Sequence, residues 1–176
     1  TARRNLHRRE RQLAGGLLSL AAGLAWTSTA SESTSYLTIA GQMVLIGSGI
    51  GLTSAPATES IMGAVPRAKA GIGSAVNDAT RVLGATLGVA VIGSVYASLY
   101  SSRLTAALPS QLPGAVGDGA ERSVGTAFGA ADQLREGGQT GLSAALHDAA
   151  SSAFFDGFAL GCLVAAGVAV LGAVFA

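Results

Sequence analysis

Residues 71–94 read GIGSAVNDATRVLGATLGVAVIGS. Almost all are small or aliphatic, yet Asn77, Asp78 and Arg81 stand within five positions of one another. In a soluble core those polar groups would be buried at a cost, and on a water-facing helix the long apolar remainder would be misplaced. A helix embedded in a bilayer and packed against protein removes the conflict. At about 100° per residue, Gly73, Asn77, Arg81, Gly84 and Gly88 share one stripe about 80° wide, with Ala70 and Thr80 close to it. Val82, Leu83, Leu87, Val89 and Ile92 occupy the other faces. Small residues let a second helix approach closely, and GATLG (84–88) is a small-xxx-small pair of that kind. The polar stripe is therefore expected to face protein, because intramembrane charge is costly and seldom faces lipid.

The composition agrees with a membrane setting. The chain has 176 residues, 49% hydrophobic and only 12% charged, about half the charge of an average soluble domain; its mean hydropathy is +0.49. The formal net charge of +1 gives no overall nucleic-acid footprint. The single cysteine, Cys162, lies in an apolar run and rules out an internal disulfide.

A crossing of the ~30 Å hydrocarbon layer takes roughly 20 mostly apolar residues. The expected layout is an all-α membrane protein with four transmembrane helices. A basic loop at 1–11 leads to helices at 12–30, 36–63, 69–100 and 151–176, with a loop at 101–150 before the last. That loop is too polar to span, and its RSVGTAFGAADQLREGG and TGLSAALHDAA pieces suit short helices on the membrane surface or leading into the last crossing.

Arginine placement sets the orientation, since cytoplasmic loops collect Lys and Arg. Arg3, Arg4, Arg8, Arg9 and Arg11 precede the first helix, and Arg67 and Lys69 lie between the second and third. The loop between the first two helices carries Glu32 and no base, and 101–150 carries three arginines against five acids. Both termini are therefore expected on the cytoplasmic side of the cell membrane. Trp26, Tyr36, Tyr96 and Tyr100 fall on the opposite side, where an aromatic belt would place them.

At 1.5 Å per residue, Glu59 and Asp78 lie ~33–35 Å from that outer boundary, near the cytoplasmic edge, with Arg81 one turn deeper. Three roles suit Arg81: snorkelling with a partner in Asp78 or Glu59, proton or substrate binding, or a gating contact at the cytoplasmic mouth. Pro56 would loosen the second helix just before Glu59. An intramembrane enzyme has less support. The two histidines, His7 and His147, lie outside the expected spans, no His/Cys/Glu set has metal-ligand spacing, and the glycines of GSGIG (47–51) sit inside an apolar span with no strand before them. No cofactor or metal is called for.

The segment APATESIMGAVPRAKAGIGSAVNDATRVLGATLGVAVIGSVYASLY (55–100) resembles the penultimate helices of fourteen-helix drug:proton antiporters, the EmrB/QacA-type branch of the major facilitator superfamily. Pro56, Met62, Val65 and Pro66 match the end of one helix. Gly71, Gly73, Ser74, Ala75 and Asn77 match the turn that follows, and Arg81, Gly84, Leu87, Gly88, Ala90, Gly93 and Ser94 match the next helix. AFFDGFALGCLVAAGVAVLGAVFA (153–176) resembles the family's last helix, and RRNLHRRERQ (3–12) the tail of the loop before the eleventh. The resemblance implies a C-terminal fragment of a proton-coupled exporter, part of its C-terminal bundle, completed by N-terminal helices that hold the family's other motifs. It implies Glu59 and Asp78 as gate or proton-accessible acids, Arg81 as their counter-charge, Asn77 beside them, and Gly73, Gly84, Gly88 and Gly93 as helix-packing positions. The implied partners are lipid, a small amphipathic substrate and protons, and no nucleic acid. The other function weighed is a stand-alone four-helix accessory or scaffold protein.

Overall fold

The computed structural model describes the backbone of residues 2–108 and 114–176, and the side chains from residue 10 onward except 67 and 115. The chain is all-helical: α1 Ala2–Thr27, α2 Tyr36–Ala64, α3 Ala70–Ala107, α4 Gly114–Ala120, α5 Val124–Glu136 and α6 Thr140–Phe175. Its contacts form two compact units, one of residues 1–92 with 162–176 and one of residues 93–161.

Among the described residues, α2, α3 and α6 are long and apolar enough to cross a membrane. The expected first crossing, 12–30, is not one of these three. Its apolar run covers about 14 residues, or ~21 Å of helix, and α1 stops at Thr27, ahead of the polar turn. The basic segment 2–11 is helical and continuous with that run.

Hydroxyl groups close α1. Thr27 Oγ1 donates to Gly23 O at 2.8 Å, Ser28 Oγ to Ala25 O at 2.7 Å, and Thr29 Oγ1 to Trp26 O at 2.7 Å. Ala25 O lies in the last turn, where the helix supplies no further amides, while Trp26 O also accepts the Thr29 amide at 3.1 Å. Ser35 then caps α2, its hydroxyl accepting from the Thr38 amide at 3.3 Å.

The α1–α2 pair is built on glycine. A Cβ added at Gly49 would stand 2.6 Å from Leu20 N and 2.8 Å from Gly16 O, so the two backbones are already in contact there. At Gly16 an added Cβ would meet Thr53 Cγ2 at 2.8 Å, and at Gly23 it would meet Ile46 Cγ1 at 2.7 Å. The buried residues of α2 are Gln42, Gly49 and Pro56, seven apart, which is the spacing of a helix seam. Polar groups fasten the contact at its middle and at one end: Ser19 Oγ donates to Leu45 O at 3.2 Å, and Gln42 Nε2 to Trp26 O at 3.2 Å. On a second side of α1, Ala21 packs with Ala166 and Ala169 of α6.

α2 passes through Pro56 unbroken, although Pro56 has no amide to give Leu52 O. Hydroxyls around it bond back to their own helix: Thr53 to Gly49 O and Ile50 O, Thr58 to Ser54 O, and Ser60 to Pro56 O. In lipid no water would satisfy them, so this back-bonding is what lets serine and threonine occupy a crossing helix.

Within 101–150, α5 and the start of α6 fall on the two pieces expected to form short helices. α3 continues to Ala107 and α6 begins at Thr140, so much of 101–150 is helix rather than linker. Tyr100 and Leu104 of α3, Ala120 of α4, Ala127 and Ala131 of α5, and Leu146, Ala150 and Ala153 of α6 make one buried core. Tyr100 is 2% exposed and its hydroxyl donates to Ala120 O at 3.0 Å. Tyr100 is thus a core residue here and not part of an aromatic belt, and Tyr96 packs against the same core. α5 ends where Gly138 takes φ +80°. The Gly138 amide bonds to Arg135 O and the Gln139 amide to Leu134 O, the paired closure that needs a left-handed glycine.

Replacing Gly49 by Ala is expected to cost about 1–3 kcal/mol through overpacking. Gly47→Ala, with open space around it, should be neutral or gain up to about 1 kcal/mol of helix propensity. Thermal unfolding in detergent followed by circular dichroism separates the two. Tyr100→Phe leaves the Ala120 carbonyl buried without its donor and should cost about 1–3 kcal/mol, read in the same assay.

Candidate functional site

All four proposed charged and polar site residues belong to the first unit, on the halves of α2 and α3 that flank a short reversal. Val65 precedes a proline and is extended, with φ −106° and ψ 132°. The proline ring disfavours helical geometry in the residue before it, and so α2 stops at Ala64. A 3₁₀ turn at Arg67–Lys69 follows, closed by the Lys69 amide on Pro66 O at 2.8 Å, and α3 begins at Ala70.

This reversal lays the start of α3 on the end of α2. A Cβ at Gly73 would stand 3.1 Å from Val65 Cγ2 and 3.6 Å from Met62 Sδ. Asn77, one turn later on the same face, is buried. Thr80 donates to both Val76 O and Asn77 O. So the first two members of the 80° stripe do face protein.

Among the described residues, nothing covers the remainder of the stripe. Arg81 and Asp78 are exposed and form no ion pair with each other; Glu59 is exposed too. An added Cβ at Gly84, Gly88 or Gly93 would meet nothing within 4 Å. None of the most apolar window of α3 is buried. Val82, Leu83, Leu87 and Val89, on its other faces, are all more than half exposed. Farther along α3, within the second unit, Ser94, Val95, Ser98, Leu99 and Ser102 line an open groove of about 560 Å³ with Leu160 of α6. Among the described residues, no three His, Cys, Asp or Glu side chains gather as a metal site would require.

Several structural residues escaped the sequence reading. Gly16, Gly23 and Gly49 carry close helix contacts, and the signal for them was a shared seven-residue spacing, Gly16 and Gly23 on α1 and Gln42, Gly49 and Pro56 on α2. An ion pair between Arg103 Nε and Asp156 Oδ2, 3.4 Å apart, links α3 to α6. Next to it Gly157 packs on Tyr96, where a Cβ would lie 2.9 Å from the ring.

Gly73→Val should push Val65 and Met62 away and lower the stability of this chain by about 1–3 kcal/mol. Gly84→Val should change it by less than about 0.5 kcal/mol, as at other uncovered positions. Unfolding of the two variants in the same detergent tests the difference; equal losses would mean that Gly84 is covered in solution.

No family model matches the chain. It is 39% identical over 79 residues to the Multidrug resistance protein Stp of Mycobacterium tuberculosis, with the same figures in strains CDC 1551 and H37Rv. The match covers 45% of this chain and 14% of that protein, so the chain aligns with a small part of a much longer relative.

Proposed function

We propose that this chain supplies the last four membrane helices of a proton-coupled exporter of drugs or other amphipathic compounds, of the EmrB/QacA type in the major facilitator superfamily. The observation that carries the proposal is the open stripe of α3. Arg81, Gly84 and Gly88 lie on an apolar helix whose most apolar window has no cover among the described residues. An arginine and a glycine row in hydrocarbon require protein against them, and further helices of the same polypeptide would provide it. The partial identity to a multidrug resistance protein supports the same direction.

In this reading the helices work by alternating access, with two bundles rocking about a central substrate site. The α2–α3 reversal lies at the cytoplasmic mouth of the cell membrane. Glu59 and Asp78 flank it as gate or proton-accessible acids, and Arg81 is their counter-charge. Asn77 and Gly73 hold α3 on α2. Gly84, Gly88 and Gly93 pack against helices that precede this segment. The crossings are 12–30, 36–63, 69–100 and 151–176, both ends of the segment are cytoplasmic, and the partners are lipid, protons and the exported compound.

Arg81→Ala in the native polypeptide is the test. Export should fall by about tenfold or more, equivalent to about 1.4 kcal/mol, while the amount in the membrane stays within about twofold. Equal losses of both would reduce Arg81 to a folding contact. A native polypeptide whose mass accommodates only these helices would leave a four-helix accessory or scaffold protein instead.

A further inference from the structure

The open groove of about 560 Å³ is lined by Ser94, Val95, Ser98, Leu99 and Ser102 of α3 and by Leu160 of α6, all within the second unit. The serines recur every four residues and so form one row along α3, ~6 Å apart and ~12 Å from first to last. Val95 and Leu99, also four apart, form a second row beside it. These two aliphatic residues are half-buried, whereas the serines and Leu160 are exposed. The lining therefore pairs an aliphatic surface with a hydroxyl edge. The three threonines of α3, Thr80, Thr86 and Thr105, each donate back to a carbonyl of their own helix. The Ser98 and Ser102 hydroxyls form no hydrogen bond with any described residue. Each keeps a proton to donate and lone pairs to accept with. The lining carries no charge. One turn beyond Leu99 on α3 and one turn before Leu160 on α6, Arg103 and Asp156 already neutralise each other across 3.4 Å.

We infer that this groove binds an uncharged amphipathic small molecule, a rigid aliphatic body with hydroxyl or carbonyl groups along one edge. The body lies on Val95, Leu99 and Leu160, and its edge oxygens pair with the Ser98 and Ser102 hydroxyls. The volume falls in the range of small-molecule sites, about 300–1,000 Å³, whose walls are mostly apolar with a few placed polar groups. A charged ligand finds no counter-charge in the lining and would have to break the Arg103–Asp156 pair to obtain one. A purely aliphatic chain would displace water from the two hydroxyls and leave them unpaired, which costs affinity. A rigid body also loses less conformational freedom on binding than a flexible one. The inference concerns binding alone; it goes beyond the export reading and does not rest on it.

The test is equilibrium dialysis of two radiolabelled steroids against the full chain in lipid nanodiscs, with empty discs subtracted. Cortisol carries hydroxyl and carbonyl groups on a largely aliphatic ring system, and progesterone has the same rings without the hydroxyls. Cortisol should bind saturably and at least about fivefold more tightly than progesterone, the factor that one net hydrogen bond supplies. Ser98→Ala with Ser102→Ala should remove the preference, and Ser98→Trp, which fills the groove, should abolish binding. Arg103→Gln with Asp156→Asn should leave the affinity for cortisol within about twofold. Thermal unfolding by circular dichroism verifies that each variant is folded. Absence of saturable binding, equal affinity for the two steroids, or binding that ignores the serine changes would each overturn the inference, as would dependence on the Arg103–Asp156 pair. In the native polypeptide, with Cys162→Ser as background, Ser98→Cys should react with a maleimide. Cortisol at about ten times its dissociation constant should slow that reaction about tenfold. A cysteine there that resists the maleimide without ligand would put a protein segment in the groove and overturn the inference.

Discussion

The contact between Gly49 and the backbone at Gly16 and Leu20 is the constraint from which the first unit follows. In hydrocarbon, burying a leucine against another leucine gains little over burying it in lipid, so helices associate through close packing and interhelical hydrogen bonds. Three glycines bring α1 and α2 near enough that side-chain hydroxyl and amide groups reach the opposite carbonyls, as Ser19 and Gln42 do. A methyl group at Gly49 would fall inside the contact distance of main-chain atoms. Main chain cannot rotate aside as a flexible side chain can. The same small-residue logic recurs where Ala21 meets Ala166 and Ala169.

The second unit is held by a different balance. Its core is mostly alanine, with one tyrosine and two leucines fully enclosed. Alanine buries little area per residue but also loses no rotamer freedom, and it lets α4, α5 and α6 lie close around Tyr100. The Tyr100 hydroxyl joins this core to the last carbonyl of α4. The aromatic side chains continue outward from Tyr96 to Phe154 and Phe158 in edge and stacked contacts.

For the candidate site, the helical stripe of α3 was legible from residue types and a 100° projection, and so was the break at Val65–Pro66. Gly73 lies against the end of α2, and Asn77 is buried. The ion pair of Arg81 with Asp78 does not form, although the two are three residues apart. Their positions on the helix differ by about 60°, and both side chains remain exposed. Spacing makes such a pair available; only a reason to leave solvent or lipid makes it form.

Local chemistry and periodicity by themselves determined that this chain is helical, that it belongs with a membrane, that a helix ends before Pro66, and which positions share a face. Those properties depend on residues a few places apart, through backbone geometry and the transfer of side chains from water. Which faces are covered is a property of distant residues meeting. Tyr100 reads as a membrane-interface aromatic and is enclosed by three other helices. Residues 101–150 read as a polar loop with short helices, and the core those helices share was not legible, since alanines at helical spacing look unremarkable until another helix lies on them. Gly49 and Gly84 read alike as small residues in apolar helices. Tertiary structure alone separates them, because one has a backbone against it and the other has none.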